Sequence, residues 1–260
     1  MTHLTSPNSG RDREILAFVA ATGIARSTQI ERVAFPVPHG GSAASSARRC
    51  RRVLARLTED GLLRRLKRQI GGVRSGSAGH LYQVTTKGRR VLGLPGQGPT
   101  WEPGGRFVDH ALATAELHAQ LIEQQRTGVL TQLRVTHEPS TWRRFSVSSG
   151  IVTLKPDLLV ELTTTDGWEL RWFIEMDRAT EHLPTVLRKC QRYRDYWRSG
   201  REAEHHEVFP RVAWIVPDQQ RATAIRAAIA RCRSLEPALF VVATGDQAAA
   251  VLTTPITSSN

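Results

Sequence analysis

The stretch on which the reading turns runs from 154 to 180: LKPDLLVELTTTDGWELRWFIEMDRAT. It alternates. Leu158, Val160 and Leu162 are apolar at even positions, and so are Leu170, Trp172, Ile174 and Met176. A period of two is the signature of a strand, so strands are expected at 154–163 and 169–176. Across a hairpin the two apolar faces must coincide, which requires the numbers of paired residues to add up to an even number. A two-residue turn at Asp166-Gly167 gives an odd sum and sets apolar against polar. A three-residue loop, Thr165-Asp166-Gly167 with Gly167 left-handed, restores the even sum. That register sets Asp157 opposite Glu175, Lys155 opposite Asp177 and Glu161 opposite Arg171.

Two carboxylates facing each other at about 5 Å between Cβ atoms repel, unless a cation lies between them or one binds a proton. A Mg²⁺ ion whose other ligands are water and phosphate oxygens suits such a pair. Asp157 and Glu175 are therefore candidate metal ligands. Glu116, on a long helix expected before the strands, is a third. The plainer alternative is that Asp157, Glu175 and Asp177 are strand-end carboxylates paired with Lys155, Arg178 and Arg171.

Outward from the hairpin the pattern is helix 107–126, strand 129–136, the two strands just described, helix 181–197, strand 212–216, helix 219–232 and strand 239–243. This is an α/β arrangement with a mixed sheet. With Pro156-Asp157 opening one strand and Glu175-Met176-Asp177 closing the next, it resembles the core of the PD-(D/E)XK nuclease fold. The resemblance implies a catalytic group made of Asp157, Glu175 and a lysine that positions or activates the attacking water. Asp177 stands where that lysine is usually found. Lys155 is the nearest substitute. Lys189, which shares a helix face with Tyr193 four residues on, is the other.

The first part of the chain reads differently. Helices are expected at 11–21, at 28–35 with Ser27 as N-cap, and from Ser42 or Ser45 to Glu59. Two β-like runs, 63–70 and 81–85, flank the glycine-rich loop 71–79, and a short helix at 86–92 closes the unit. Three helices followed by a hairpin resemble a winged helix-turn-helix, making the whole an α+β, two-domain chain. The expected divisions are a DNA-binding domain at 1–93, a Pro/Gly-rich linker at 94–106, the nuclease-like domain at 107–252 and a disordered tail at 253–260. In the third helix Cys50, Val53, Leu54 and Leu57 form the apolar stripe. Arg48, Arg49, Arg51, Arg52 and Arg56 lie opposite, with Ser45 and Ser46 at the N-terminal end where bases or phosphates are met. Arg64, Arg65, Lys67, Arg68 and Arg74 would line the wing.

Charge supports a polyanionic partner. The chain carries +12; the segment up to Pro95 holds 17 basic and 5 acidic residues, and the remainder has 19 of each. Double-stranded DNA is the expected partner of that end. No apolar run approaches the roughly 18 residues of a membrane span, and the polar start points to the cytoplasm. The three cysteines form neither a disulfide framework nor a metal knuckle. No GxxxxGK[ST] phosphate loop is present, which argues against an ATPase.

Taken together, Pro156-Asp157, the run FIEMDRATE at 173–181 and a helix carrying Lys189 and Tyr193 resemble the replication-relaxation family, encoded by plasmids and integrative elements. The resemblance spans roughly 11–217. It implies a DNA-binding protein acting in replication or relaxation of a mobile element, alongside replication or relaxase proteins and with a homodimer as one arrangement. Two other functions fit the same residues: a Mg²⁺-dependent endonuclease and a winged-helix transcriptional regulator.

Overall fold

The computed structural model describes residues 10–37, 40–66, 79–98, 103–148, 150–204, 206 and 208–255. The fold is mixed α/β and packs into two compact units, Met1–Ala119 and Gln120–Asn260.

The first unit runs α1 (Gly10–Thr22), β1 (Ala25–Arg26), α2 (Ser27–Ala34), α3 (Ala43–Glu59), β2 (Leu63–Arg65), β3 (Leu81–Val84) and α4 (Thr86–Val91), followed by the start of α5 (Gly105–Arg126). Its small sheet has the order β1-β3-β2, antiparallel throughout. Apolar spacing decides what faces inward. Ile15, Leu16, Phe18 and Val19 of α1 are buried, as are Cys50, Leu54 and Leu57 of α3. The cap of α2 differs from the expected Ser27. Strand β1 pairs with β3 and holds Arg26 extended, so Arg26 becomes the cap and its N–H donates to Gln29 Oε1 at 2.9 Å. Residues 107–119, assigned from sequence to the second domain, lie in the first unit: Val108, Ala111 and Leu112 pack with Ile24 and Leu66.

The second unit is built on a five-stranded sheet of order β10-β9-β8-β7-β4. Its elements are β4 (Leu130–His137), β5 (Arg143–Val147), β6 (Gly150–Leu154), β7 (Leu158–Thr164), β8 (Glu169–Met176), α6 (Leu183–Arg198), β9 (Arg211–Val216), α7 (Gln219–Arg231), β10 (Phe240–Thr244) and α8 (Ala248–Thr253). Strands β4, β7 and β8 run antiparallel, and β8, β9 and β10 run parallel. The parallel pairs need crossovers, which α6 and α7 supply. One sheet face meets these helices: Phe173, Val212 and Trp214 pack with Val186, Cys190 and Tyr193 of α6 and Ile225 of α7. On β8 the neighbours of Phe173 point the other way, and buried Trp172 donates its Nε1–H to Leu252 O at 3.1 Å.

Three differences from the sequence reading matter. The strand expected at 154–163 is two strands, broken at Pro156. Proline has no N–H for a ladder, and the chain before it belongs to a separate hairpin, β5–β6. That hairpin was not foreseen, because its alternation is short and mostly polar. The loose tail expected from Thr253 also fails at its start: Thr253 ends α8, is buried, and donates to Ala249 O.

Candidate functional site

Strands β7 and β8 pair from Leu158↔Ile174 to Thr163↔Glu169, the even-sum register. Gly167 adopts φ +85° in the loop, a conformation that costs an L residue a steric clash. Just beyond this ladder the Asp157 N–H donates to Ile174 O at 3.0 Å, and Asp157 Oδ2 accepts from the Met176 N–H at 2.6 Å. The Asp157 carboxylate is thereby pinned to the end of β8 where Glu175 sits.

Glu175 is buried and lies on the sheet face covered by α6. Helix α6 presents Val186, Cys190 and Tyr193 to the core. The same turns carry Lys189 and Tyr193 to Glu175. Tyr193 OH donates to Oε1 at 2.5 Å, and Lys189 Nζ bonds to Oε2. Burial, opposed by Lys189 and Tyr193 and assisted by the nearby Asp157, leaves the Glu175 pKa raised to about 8. Burial disfavours the charge on Lys189, but the nearby Glu175 and Asp157 outweigh it, and the net shift is upward. Burial and then Glu175 hold Tyr193 well above its ordinary value, so it is a neutral donor. Asp157 is half-buried and the Lys189 side chain is 28% exposed, so the cluster reaches solvent on one side.

The donor set suits a hard divalent ion, since Asp157 and Glu175 offer carboxylate oxygens that repel one another. The cation already answering them is Lys189. Of the two candidate lysines, Lys189 is thus the one brought to the carboxylates. Lys155 does not face Asp177: its chain follows the β5–β6 register, and its ammonium lies 4.1 Å from the Trp142 ring centroid. Asp177 is buried elsewhere. Arg221 of α7 donates to it through Nε at 2.5 Å, and the Ala179 N–H donates at 3.0 Å. Arg221 also donates to Glu181 O at 2.6 Å, so Asp177 anchors the β8–α6 turn, in which Ala179 takes φ +56°. Glu116 is engaged in the first unit by Arg32 and by Gln29 Nε2, the latter at 3.1 Å.

Sequence reasoning missed two groups. Arg221 lies 44 residues from Asp177, and only the parallel β8–β9 pairing unites them. Glu202 follows α6 and is buried. It accepts from Tyr196 OH at 2.5 Å, Arg143 Nε at 3.1 Å and Arg171 Nη2 at 3.1 Å. Arg171 also reaches Glu161 at 3.2 Å, in the pairing the register predicts.

In the first unit Arg48, Arg49, Arg51 and Arg52 are exposed on α3. Arg48, Arg49 and Arg52 line a shallow concavity of about 460 Å³ with Gly41, Ser42 and Ser45. Ser46 does not join them. It is buried and accepts from Arg49 at 3.1 Å, because it falls on the inner side of the helix with Cys50. Arg56 is held by buried Asp12 at 2.6 Å and by Asp60 at 3.4 Å, with its side chain 40% exposed. Arg65 is exposed, and Arg64 donates to Gln83. Lys67, Arg68 and Arg74 lie outside the described residues.

The family model described as replication-relaxation matches residues 16–212. The chain belongs to the replication-relaxation family. No curated protein and no solved structure matches it. The replication-relaxation match takes in β7, β8 and α6, and with them Asp157, Glu175, Lys189 and Tyr193; it stops short of Arg221. Among the described residues no helix is long and apolar enough to cross a membrane.

Proposed function

We propose that this replication-relaxation protein grips double-stranded DNA through α3 and processes it at the Asp157–Glu175–Lys189 cluster as a Mg²⁺-dependent phosphodiesterase. Two features support the DNA-binding half. The order α1-β1-α2-α3-β2-β3 with sheet order β1-β3-β2 fits a winged helix. The face of α3 turned away from the core carries four exposed arginines, an electrostatic footprint for phosphates.

One observation carries the catalytic half: Lys189 reaches from α6 to Glu175, beside Asp157. The succession β4, β7, β8, α6, β9 with that trio at the end of the β7–β8 pair supports a nuclease-like domain whose lysine has moved onto the helix. Asp157 and Glu175 would hold the Mg²⁺, which when bound polarises a phosphate and lowers the pKa of a water. The rest is the work of the chain. The Met176 N–H fixes the Asp157 carboxylate. Tyr193 OH fixes Glu175 and leaves its second oxygen to Lys189. Lys189 is partly open to solvent and stays protonated, so its ammonium is placed to offset phosphate charge and to orient the attacking water. Glu175 takes up a proton below about pH 8, so it offers a carboxylate to a cation fully only above that.

A second reading rests on Glu175 itself, both of whose oxygens already have a donor. On this reading the cluster is a fixed internal ion pair and the chain is a DNA-binding replication protein or regulator without cleavage. Supercoiled plasmid incubated with Mg²⁺ or Mn²⁺ separates the two. Metal-dependent nicking by the wild type that disappears in Asp157→Ala and Glu175→Ala supports the enzyme. Binding without any nicking supports the second reading.

A further inference from the structure

The hairpin β5–β6 plays no part in the five-stranded sheet; it forms a two-stranded sheet of its own between β4 and β7. Such a ribbon is not stable alone in water, and this one is fastened by a single face. Phe145 and Leu154 are buried, and the Phe145 ring lies 5.2 Å from that of Tyr196. Arg143 is tied to Glu202 at 3.1 Å. The opposite face is open. The pairing Arg143↔Leu154 through Val147↔Gly150 sets Arg144 against Thr153 and Ser146 against Ile151. Just beyond the ladder, the Lys155 ammonium lies over the Trp142 ring. Arg144, Ser146 and Lys155 are exposed, Trp142 is 42% exposed and Ile151 68%.

Two features point to the occupant. The first is charge: from Pro139 to Pro156 the chain has no acidic residue, and two of its three basic ones, Arg144 and Lys155, are on the open face, which Glu138 meets only at its base, accepting from Trp142 Nε1 at 2.9 Å. The second is position. Lys155 precedes Asp157 by two residues, and the hairpin base is clasped to the site by Thr141 Oγ1, which donates to Pro156 O at 2.5 Å. A two-stranded β-ribbon has the width that the DNA major groove admits. We infer that the outer face of β5–β6 is a second duplex-DNA contact, separate from α3, that holds the backbone against Asp157. Arg144 and Lys155 take phosphates, and Ser146 and Ile151 at the tip enter the groove. This inference rests on the DNA-binding reading proposed above.

The test is fluorescence anisotropy of the full chain with labelled duplex and single-stranded DNA across a salt series. The variants are Arg144→Ala with Lys155→Ala, Ile151→Glu, Arg48→Ala with Arg52→Ala, and Arg233→Ala as an exposed arginine that belongs to neither α3 nor the ribbon. Circular dichroism checks that each is folded. Each lost phosphate contact flattens the slope of log K against log[salt] by about 0.9 on duplex DNA. The expected result is a slope flattened by about 2 for Arg144→Ala/Lys155→Ala, with weakened binding in Ile151→Glu and no change in Arg233→Ala. Three results overturn the inference. If the α3 variant weakens and both ribbon variants bind duplex as the wild type does, the ribbon is not a contact and the DNA-binding reading stands. If the ribbon variants lose only single-stranded binding, the duplex assignment is wrong. If the wild type binds no DNA, both readings fall.

Discussion

Replacing Glu175 with Gln separates the two forces acting on the central carboxyl. Burial favours its neutral form, and Lys189 and Tyr193 favour the anion; the balance places its pKa near 8, against an ordinary value of 4.5. A carboxyl whose folded-state pKa is raised binds more protons folded than unfolded between those two values. Its contribution to stability is complete below about pH 4.5 and is lost as the pH climbs through about 8. Gln keeps the shape and an acceptor for Tyr193 and does not titrate. Stability of wild type minus Glu175→Gln should therefore fall with rising pH, by up to about 1.4 kcal/mol per pH unit between pH 5 and 8. Urea unfolding of both proteins at half-unit steps, free of divalent ions, measures this. Adding Mg²⁺ should flatten the difference, because an ion that needs the carboxylate competes with the proton. A metal-free difference that does not fall above pH 5 would mean that the Lys189 pair outweighs burial, and the account of a proton poised on Glu175 would be wrong.

Other perturbations have equally definite outcomes. Glu202→Ala leaves Arg143 and Arg171 without their buried partner and should cost about 3–5 kcal/mol in urea unfolding. Desolvation opposes ionisation of Glu202, but Tyr196, Arg143 and Arg171 outweigh it and lower its pKa. Its contribution is therefore present above pH 4.5 and disappears on acidification, and Glu202→Gln should flatten the acid limb of the stability curve. Arg56→Ala should destabilise the first unit, because buried Asp12 loses the Arg56 guanidinium. Arg48→Ala with Arg52→Ala should leave the melting temperature unchanged and flatten the salt slope of DNA binding by about 2. Arg221→Ala, by contrast, should lower the melting temperature through loss of the Asp177 anchor, measurable by calorimetry.

Much of this was legible because hairpin register obeys arithmetic. The alternation in β7 and β8 and the glycine at 167 were enough to set Glu161 against Arg171 and Asp157 beside Glu175, and the four-residue spacing placed Lys189 and Tyr193 on one face of α6. What the text could not reveal was where local periodicity is weak or partners are distant. Pro156 splits an apparently continuous strand, and that split carried Lys155 away to Trp142. Ser46 sits among basic and polar residues, but the turn of α3 that buries Cys50 buries it too. Arg221 meets Asp177, and Glu202 meets Arg171, only because the sheet brings distant segments together, and no spacing in the chain encodes such meetings.

The most direct measurement is single-turnover cleavage of duplex DNA already bound to the protein, with Mg²⁺ added to start the reaction, comparing wild type with Lys189→Met. With each protein saturated by the DNA before Mg²⁺ is added, any difference belongs to the chemistry. The account predicts strand scission by the wild type, and a loss of about 100-fold or more in Lys189→Met, in the range of positioned proton-transfer and charge-stabilising groups. Bound DNA that stays intact with the wild type, or is cut equally fast by both proteins, would contradict it.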